Sequence, residues 1–121
     1  MKKTFLLVAL FVALALVVAS CGGGSSDDPA AAGKKLFAES IIGAQPGCST
    51  CHSLDADTVI VGPSLAGIGT RGDAAYIRES ILDPNVILVE GFPSDTMPPV
   101  WGDELTEDQV DQLVAYLLTL K

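Results

Sequence analysis

The residues best suited to chemistry lie within one pentapeptide, Cys48-Ser49-Thr50-Cys51-His52. Two thiols three positions apart fall on one side of a helical turn, so each can add to one vinyl group of the same porphyrin. The imidazole of the next residue can then bind the iron as the proximal ligand. C-x-x-C-H is the attachment signature of c-type haem. The motif therefore predicts one haem c, covalently bound through Cys48 and Cys51, with His52 as an axial ligand.

The motif alone leaves three other uses open. A redox-active C-x-x-C pair needs a thioredoxin-like βαβ pattern, and no such pattern surrounds Cys48. A structural zinc ion needs four ligands, whereas two cysteines and one histidine supply three unless Asp55 or Asp57 joins them. A disulfide between Cys48 and Cys51 would close a very small loop and stabilise the chain little. We therefore favour the haem interpretation.

A haem iron held by His52 needs a sixth ligand or an open position on its other side. His52 is the only histidine, which excludes a second imidazole from the same chain. Met97 lies 45 residues downstream, in Thr96-Met97-Pro98-Pro99, and is the only methionine besides Met1. A thioether is a soft, neutral ligand that raises the reduction potential relative to a second imidazole, and the prolines restrict the backbone beside it. We predict Met97 as the sixth ligand rather than as core filler. Other possible ligands, without a supporting pattern, are Lys34, Lys35 and Tyr116.

The first 28 residues predict export and membrane attachment. Residues 1–20 combine Lys2 and Lys3 with an apolar run over residues 5–18, which suits a signal peptide and is short for a membrane-spanning helix. The sequence Val-Ala-Ser-Cys ending at Cys21 resembles a bacterial lipobox, so we predict cleavage before Cys21 and its lipidation. Residues 21–28 then form a lipidated flexible tether. The alternatives are an uncleaved apolar anchor or ordinary cleavage nearby.

The charge balance excludes one class of partner. The chain has a formal net charge of −8, and loss of Lys2 and Lys3 with the signal peptide would change it to −10. A domain this acidic does not attract nucleic-acid phosphates. The acidic surface either favours a basic docking partner or serves only to keep the protein soluble.

Three segments predict the main helices. The first begins at an Asp28 N-cap, with a stripe of small and apolar residues as far as Ile41 and a stop at Gly43. The second runs from an Asp73 cap through Leu82. The third opens with a capping box formed by Thr106 and Gln109 and has apolar residues at helical spacing. The first apolar stripe is Gly33, Leu36, Phe37, Ser40 and Ile41; the second is Ala74, Ile77 and Ile81; the third is Val110, Leu113, Val114, Leu117 and Leu118.

Two segments predict loops rather than regular elements. Residues 59–71 are apolar but broken by glycine and proline, and residues 84–100 contain four prolines and show no clean period. Residues 86–89 could form a strand, but no second strand is evident to pair with them. Such loops make more sense when packed on a large apolar cofactor than on each other.

Residues 29–121 resemble a class I, monohaem cytochrome c domain. The resemblance rests on motifs in the family's order: 33–37, 48–52, 62–65 followed by Arg71, 96–99, and a last helix containing Leu113 and Tyr116. It implies an all-α, small cytochrome c fold, with three main helices and irregular loops wrapped around one covalently bound haem. Residues 76–99 are similar to the cytochrome c domain of bacterial haem-copper oxidase subunit II.

The resemblance also implies roles for other residues. The carbonyl of Pro63 would accept a hydrogen bond from His52. Arg71 would pair with a haem propionate, although a solvated surface arginine is the alternative. Gly33 and Phe37 would pack against the last helix. Trp101 is expected to serve in packing rather than in shielding the haem edge or docking. This chain lacks the lysine-rich haem edge of mitochondrial-type members, so their docking partners do not carry over.

Together these features predict an electron-transfer protein rather than an enzyme. It would be a lipid-anchored carrier on the outer face of the cytoplasmic membrane or in the periplasm, passing single electrons between respiratory or photosynthetic partners. A haem-copper oxidase or another respiratory complex is the expected class of partner. A haem enzyme or gas sensor with an open sixth position is the main rival.

Overall fold

The computed structural model describes residues 28–121. In chain order its elements are α1 (Pro29–Phe37), β1 (Ile41–Ile42), β2 (Gln45–Pro46), α2 (Cys48–Cys51), α3 (Ile68–Arg71), α4 (Ala74–Leu82), α5 (Trp101–Glu104) and α6 (Glu107–Leu117). Three helices are longer than one turn, namely α1, α4 and α6. None of the helices in this part of the chain is long and apolar enough to cross a bilayer. The predicted signal peptide and Cys21 lie outside the described residues, as does all of the tether except Asp28.

The first and last helices pack closely against each other. A Cβ atom on Gly33 would lie 1.9 Å from the backbone oxygen of Gln112, so only glycine fits at this crossing. One turn further along, the rings of Phe37 and Tyr116 meet with centroids 5.7 Å apart and planes tilted by 58°. This contact between α1 and α6 confirms the packing that the resemblance implied.

Local capping explains where the three main helices begin. Asp28 accepts a hydrogen bond from the N–H of Ala30, and Asp73 accepts one from the N–H of Tyr76. Thr106 and Gln109 form both halves of a capping box. Each side chain satisfies an N–H group that the helix itself leaves without a partner. The three predicted N-caps are therefore confirmed.

The first helix is shorter than the apolar stripe predicted. It ends at Phe37, and the N–H of the capping residue Ala38 donates to the carbonyls of Lys34 and Lys35. Ile41 belongs instead to a short antiparallel pair in which it lies opposite Pro46. Gly43 is the left-handed residue of the hairpin turn, with φ of +59°, and not a helix stop. The extension of the stripe to Ser40 and Ile41 was therefore wrong.

Helix α4 packs against α6. Its buried residues Ile77 and Ile81 face the core, whereas Ala74, which was expected on the same side, is exposed. On its outer side Arg78 donates to Asp111 over 2.6 Å and also pairs with Glu107. These ion pairs join α4 to α6 at the surface.

The segment predicted as a plain loop over residues 59–71 contains the one-turn helix α3. Gly67 enters it with φ of +66°, and the N–H of Gly69 donates to the carbonyl of Leu120 over 2.8 Å. In the other direction, Lys121 donates from Nζ to the carbonyl of Gly69 over 2.6 Å. Leu120 and Lys121 thus hold α3 in place.

The elements share one apolar core, and it lies mainly between α1, α4 and α6. Residues 84–100 contain no regular element, as predicted, and residues 86–89 do not form a strand. The all-α class with three main helices and irregular loops is confirmed, with the small β1–β2 pair as an addition. The buried apolar side chains are Leu36, Phe37, Ile42, Ile68, Ile77, Ile81, Trp101, Leu105, Val110, Leu113, Val114, Tyr116 and Leu117.

Candidate functional site: an apolar cavity beside the C-x-x-C-H turn

A cavity of about 530 Å³ lies between the helices and the irregular loops. Its size falls in the range of roughly 300–1,000 Å³ that is usual for cofactor sites. The walls are mostly apolar, and they come from all six described helices, including Phe37 of α1, and from both irregular segments. The loops therefore line an internal space, which is the arrangement expected if they pack on a large apolar group.

The two cysteines are presented to this cavity by a single helical turn. Helix α2 begins after Gly47, whose carbonyl accepts a hydrogen bond of 2.6 Å from the hydroxyl of Thr50. The N–H of His52 closes the turn on the carbonyl of Cys48 over 2.9 Å. Both thiols line the cavity, and they are not joined to each other. One ligand in the cavity can therefore be attached at both sulfurs.

Burial changes the acidity of one of these thiols. Removal from water raises the pKa of Cys48 from 9.0 to about 11, with a smaller contribution from the nearby Cys51. The environment therefore disfavours a thiolate at this position. A neutral thioether, which is the form that haem attachment produces, carries no charge and suits the same surroundings.

The ring of His52 is held by the backbone on its outer side. Nδ1 lies 2.8 Å from the carbonyl oxygen of Pro63. A carbonyl can only accept, so Nδ1 carries the proton and Nε2 keeps its lone pair. The loop that supplies this carbonyl is tied to α2, because the N–H groups of Val61 and Gly62 both donate to the carbonyl of Cys51. The His52–Pro63 hydrogen bond implied by the resemblance is thus present.

Gly62 allows this approach of the loop to the imidazole. A Cβ atom at this position would lie 2.5 Å from Cε1 of His52, which is closer than real contacts of this kind. The His52 ring therefore occupies the space that any side chain at residue 62 would fill. The glycine is required by packing, since its backbone does not have a positive φ.

Arg71 lines the cavity but is engaged with the backbone of the preceding loop. Its Nη1 donates to the carbonyl of Ala66, and its Nη2 donates to the carbonyl of Ser64 over 3.3 Å. These bonds hold the loop that follows Pro63. A pairing of Arg71 with a propionate stays a prediction.

Met97 shares the cavity with His52. It is half-buried, packs against the core and lines the cavity together with its neighbours Thr96 and Pro98. The other sixth-ligand candidates do not line it: Lys34 and Lys35 are exposed on α1, and Tyr116 is buried in the contact with that helix. Among the candidates named from the sequence, Met97 alone meets the cavity that holds His52.

The carboxylates considered for a zinc site lie elsewhere. Asp55 and Asp57 are exposed and do not line the cavity. Within residues 28–121, no three His, Cys, Asp or Glu side chains come together as a group that could hold a metal ion. The donors that do meet at the cavity are the ones a porphyrin iron would use.

Sequence reasoning missed part of the cavity wall. Ile87, Leu88 and Val89 line it although each is at least 40% exposed, so they lie at its mouth. The signal in the sequence was an apolar run between prolines, which is equally compatible with a strand. Trp101 also lines the cavity and is buried, in agreement with a packing role. Its Nε1–H has no acceptor within the described part of the chain, so a bound group with a polar edge fits beside it.

The cavity suits a covalently held porphyrin in size, polarity and donor set. Comparison with families of known proteins agrees with this geometry, because the model of the family described as "Cytochrome c" matches residues 30–121. A search of curated proteins finds no match.

Proposed function

The chain belongs to the cytochrome c family of electron-transfer proteins, which bind haem c covalently through cysteines, and we propose that this member is a membrane-tethered one-electron carrier with His52 and Met97 as axial ligands. The observation that carries the proposal is that these two side chains line one apolar cavity beside Cys48 and Cys51. The bound haem supplies the chemistry, which is the gain and loss of one electron at its iron.

The protein's part is to hold and tune this group. The carbonyl of Pro63 accepts a hydrogen bond from Nδ1–H of His52. This bond orients the imidazole and increases the basicity of Nε2. Met97 offers a soft, neutral sulfur that favours the reduced iron and so raises the potential. The apolar walls exclude water, so solvent does not screen the change in charge at the iron when it gains or loses an electron. With His52 and Met97 both holding the iron, no substrate would bind to it.

The mouth of the cavity supports a docking surface for redox partners. Val61 and residues 87–89 are exposed there and apolar, while Glu90 follows this run directly and Asp95, further along the same loop, lines the cavity. Neither exposed lysine of α1 lines the cavity. We therefore propose that the partner presents an apolar patch bordered by basic residues, and that a respiratory complex such as a haem-copper oxidase is the class to test.

The tether remains part of the proposal. Cleavage before Cys21 and acylation of its thiol and new amino group would anchor the domain stably, since two or more chains hold a protein on a bilayer where one does so only marginally. Residues 21–28 would give the domain reach above the surface of the cytoplasmic membrane. This attachment confines diffusion to the plane in which respiratory complexes sit.

The proposal is tested on mature protein in membranes from an export-competent host. We expect a reduced-minus-oxidised spectrum of c-type haem, pigment that stays with the polypeptide in acidified organic solvent, and one reversible one-electron transition on titration. The ferric protein should show the charge-transfer band of a sulfur–iron bond. Rapid binding of carbon monoxide by the reduced wild-type protein would contradict axial ligation by Met97 and would favour a sensor or an enzyme.

A further inference from the structure

Two side chains ten positions apart close the irregular segment that leads to Met97. Asn85 donates from Nδ2 to Oδ1 of Asp95 over 2.9 Å, and the backbone N–H of Asp95 donates to Oδ1 of Asn85 over the same distance. This reciprocal pair is called the loop clasp below. We propose that Asn85 and Asp95 are positioning residues that hold Met97 where its sulfur binds the haem iron. The inference rests on the proposed role of Met97 as the sixth ligand.

One end of the loop clasp is anchored in the helical core. Asn85 follows the end of α4, where the N–H of Asp83 bonds to the carbonyl of Glu79 over 2.8 Å and Pro84 is buried. Helix α4 is itself held against α6 through buried Ile77 and Ile81. The position of Asn85 is therefore set by the packed part of the molecule.

The other end of the loop clasp lies close to the sulfur ligand. Asp95 precedes Met97 by two residues, and two residues of extended chain span at most about 7 Å. After Met97, two prolines limit the backbone, and α5 begins at the buried Trp101. Met97 thus lies on a short span of chain that is fixed on both sides.

Few other bonds restrain this segment. Within residues 28–121, the remaining hydrogen bonds in which residues 86–99 take part join residues three positions apart, namely Val86 to Asp83 and Phe92 to Val89. They form local turns and tie neither end of the segment to the other. The loop clasp is the contact that converts a long loop into a closed one, which lowers the number of conformations open to Met97.

The residue types at the loop clasp match this task. Asp95 has φ of +62°, in the left-handed region that aspartate and asparagine tolerate better than most other side chains. An asparagine at position 85 can donate and accept at once, which the reciprocal geometry requires. Both residues line the cavity, so a change in the loop clasp is transmitted directly to its wall.

The test compares variants of the mature, haem-loaded protein. Asn85→Ala removes both hydrogen bonds, whereas Asp95→Asn keeps an acceptor, the backbone N–H and a tolerance of positive φ. Arg78→Ala is the matched destabilising control, because it breaks the surface ion pairs to Glu107 and Asp111, and none of these three residues lines the cavity. The readouts are the sulfur–iron charge-transfer band, the reduction potential, and the affinity for carbon monoxide and imidazole.

We expect Asn85→Ala to weaken the charge-transfer band, lower the potential and bind carbon monoxide roughly tenfold more tightly, as the loss of one or two hydrogen bonds predicts. Asp95→Asn should stay close to wild type, and Arg78→Ala should lose thermal stability without moving these three readouts. The loop clasp is refuted if wild type shows the band and Asn85→Ala equals it in band, potential and ligand affinity. It is also refuted if Arg78→Ala changes them as much as Asn85→Ala does. A wild-type protein without the band overturns the proposed ligation itself, and the role of the loop clasp with it.

Discussion

His52 donates its Nδ1 proton to the backbone oxygen of Pro63 over 2.8 Å, and this contact determines which imidazole nitrogen is available to a metal. Gly62, which directly precedes Pro63, lies against the His52 ring, so that no side chain fits at position 62. Because the protein already holds the His52 imidazole in position, little reorganisation is needed when the charge of a bound iron changes. The imidazole would therefore keep one geometry in both oxidation states of the iron.

Gly62→Ala should disturb this arrangement. The new Cβ would meet Cε1 of His52 at 2.5 Å, so either the ring or the loop must move, at a cost of about 1–3 kcal/mol. We expect a lower melting temperature and a lower yield of haem-loaded protein, measured by calorimetry and by haem absorbance per polypeptide. Gly102→Ala is the matched control, since its Cβ would find only a carbon of Leu82 at 3.9 Å. Equal behaviour of the two variants would contradict the packing argument.

Replacement of Met97 should separate ligation from packing. Met97→Leu keeps most of the volume but removes the sulfur, whereas Met97→Ala removes both. We expect both variants to lower the reduction potential by about 0.1 V or more, within the roughly 0.8 V that axial ligands span, and to bind carbon monoxide readily. Only Met97→Ala should add a clear loss of stability on denaturant unfolding. An unchanged potential in Met97→Leu would show that the sixth ligand lies elsewhere.

Burial of Cys48 predicts a pH dependence in the haem-free chain. Its pKa rises to about 11 in the folded state against an ordinary value of 9.0, so folding favours the neutral thiol. The stabilising contribution is complete below about pH 9 and is lost as the pH rises through about 11. Cys51→Ser keeps the burial of Cys48 but loses the smaller contribution of Cys51. In haem-free Cys51→Ser protein, alkylation of Cys48 should therefore keep accelerating well above pH 9, because the thiolate is the nucleophile.

The same variant in urea provides the control for this titration. Alkylation there should level off near pH 9, and circular dichroism under both conditions reports whether the helices are present. If folded, helical protein levels off near pH 9 as well, Cys48 is not buried in the way described.

Membrane attachment should depend on Cys21. We expect Cys21→Ala to release the domain from membranes or to block its processing, because the acylated thiol is lost. Fractionation and mass measurement of the mature amino terminus distinguish these outcomes, with Ser25→Ala on the same segment as the control. Firm attachment of Cys21→Ala with an unprocessed terminus would indicate an uncleaved apolar anchor instead.

The sequence alone was sufficient for the features that depend on neighbouring residues. The spacing of Cys48, Cys51 and His52 predicts haem attachment because the two thiols lie on one helical turn and the imidazole follows it directly. The N-caps at Asp28, Asp73 and Thr106 are likewise local, since each side chain bonds an N–H two or three residues away. The same local reasoning failed at Ile41, where pairing with Pro46 prevailed over an apolar stripe that continued past the end of α1.

Tertiary structure decided which distant residues meet. Met97 shares a cavity with His52 because of the path that residues 84–100 take, whereas Tyr116 lies against Phe37 of α1. The linear sequence contains neither distance. The contact between Asn85 and Asp95 cannot be predicted from the sequence either, because two polar residues in a loop have many possible partners until the backbone brings them together. Local chemistry can be predicted from adjacent residues, whereas the geometry around a cofactor arises only when elements far apart in the chain are packed against each other.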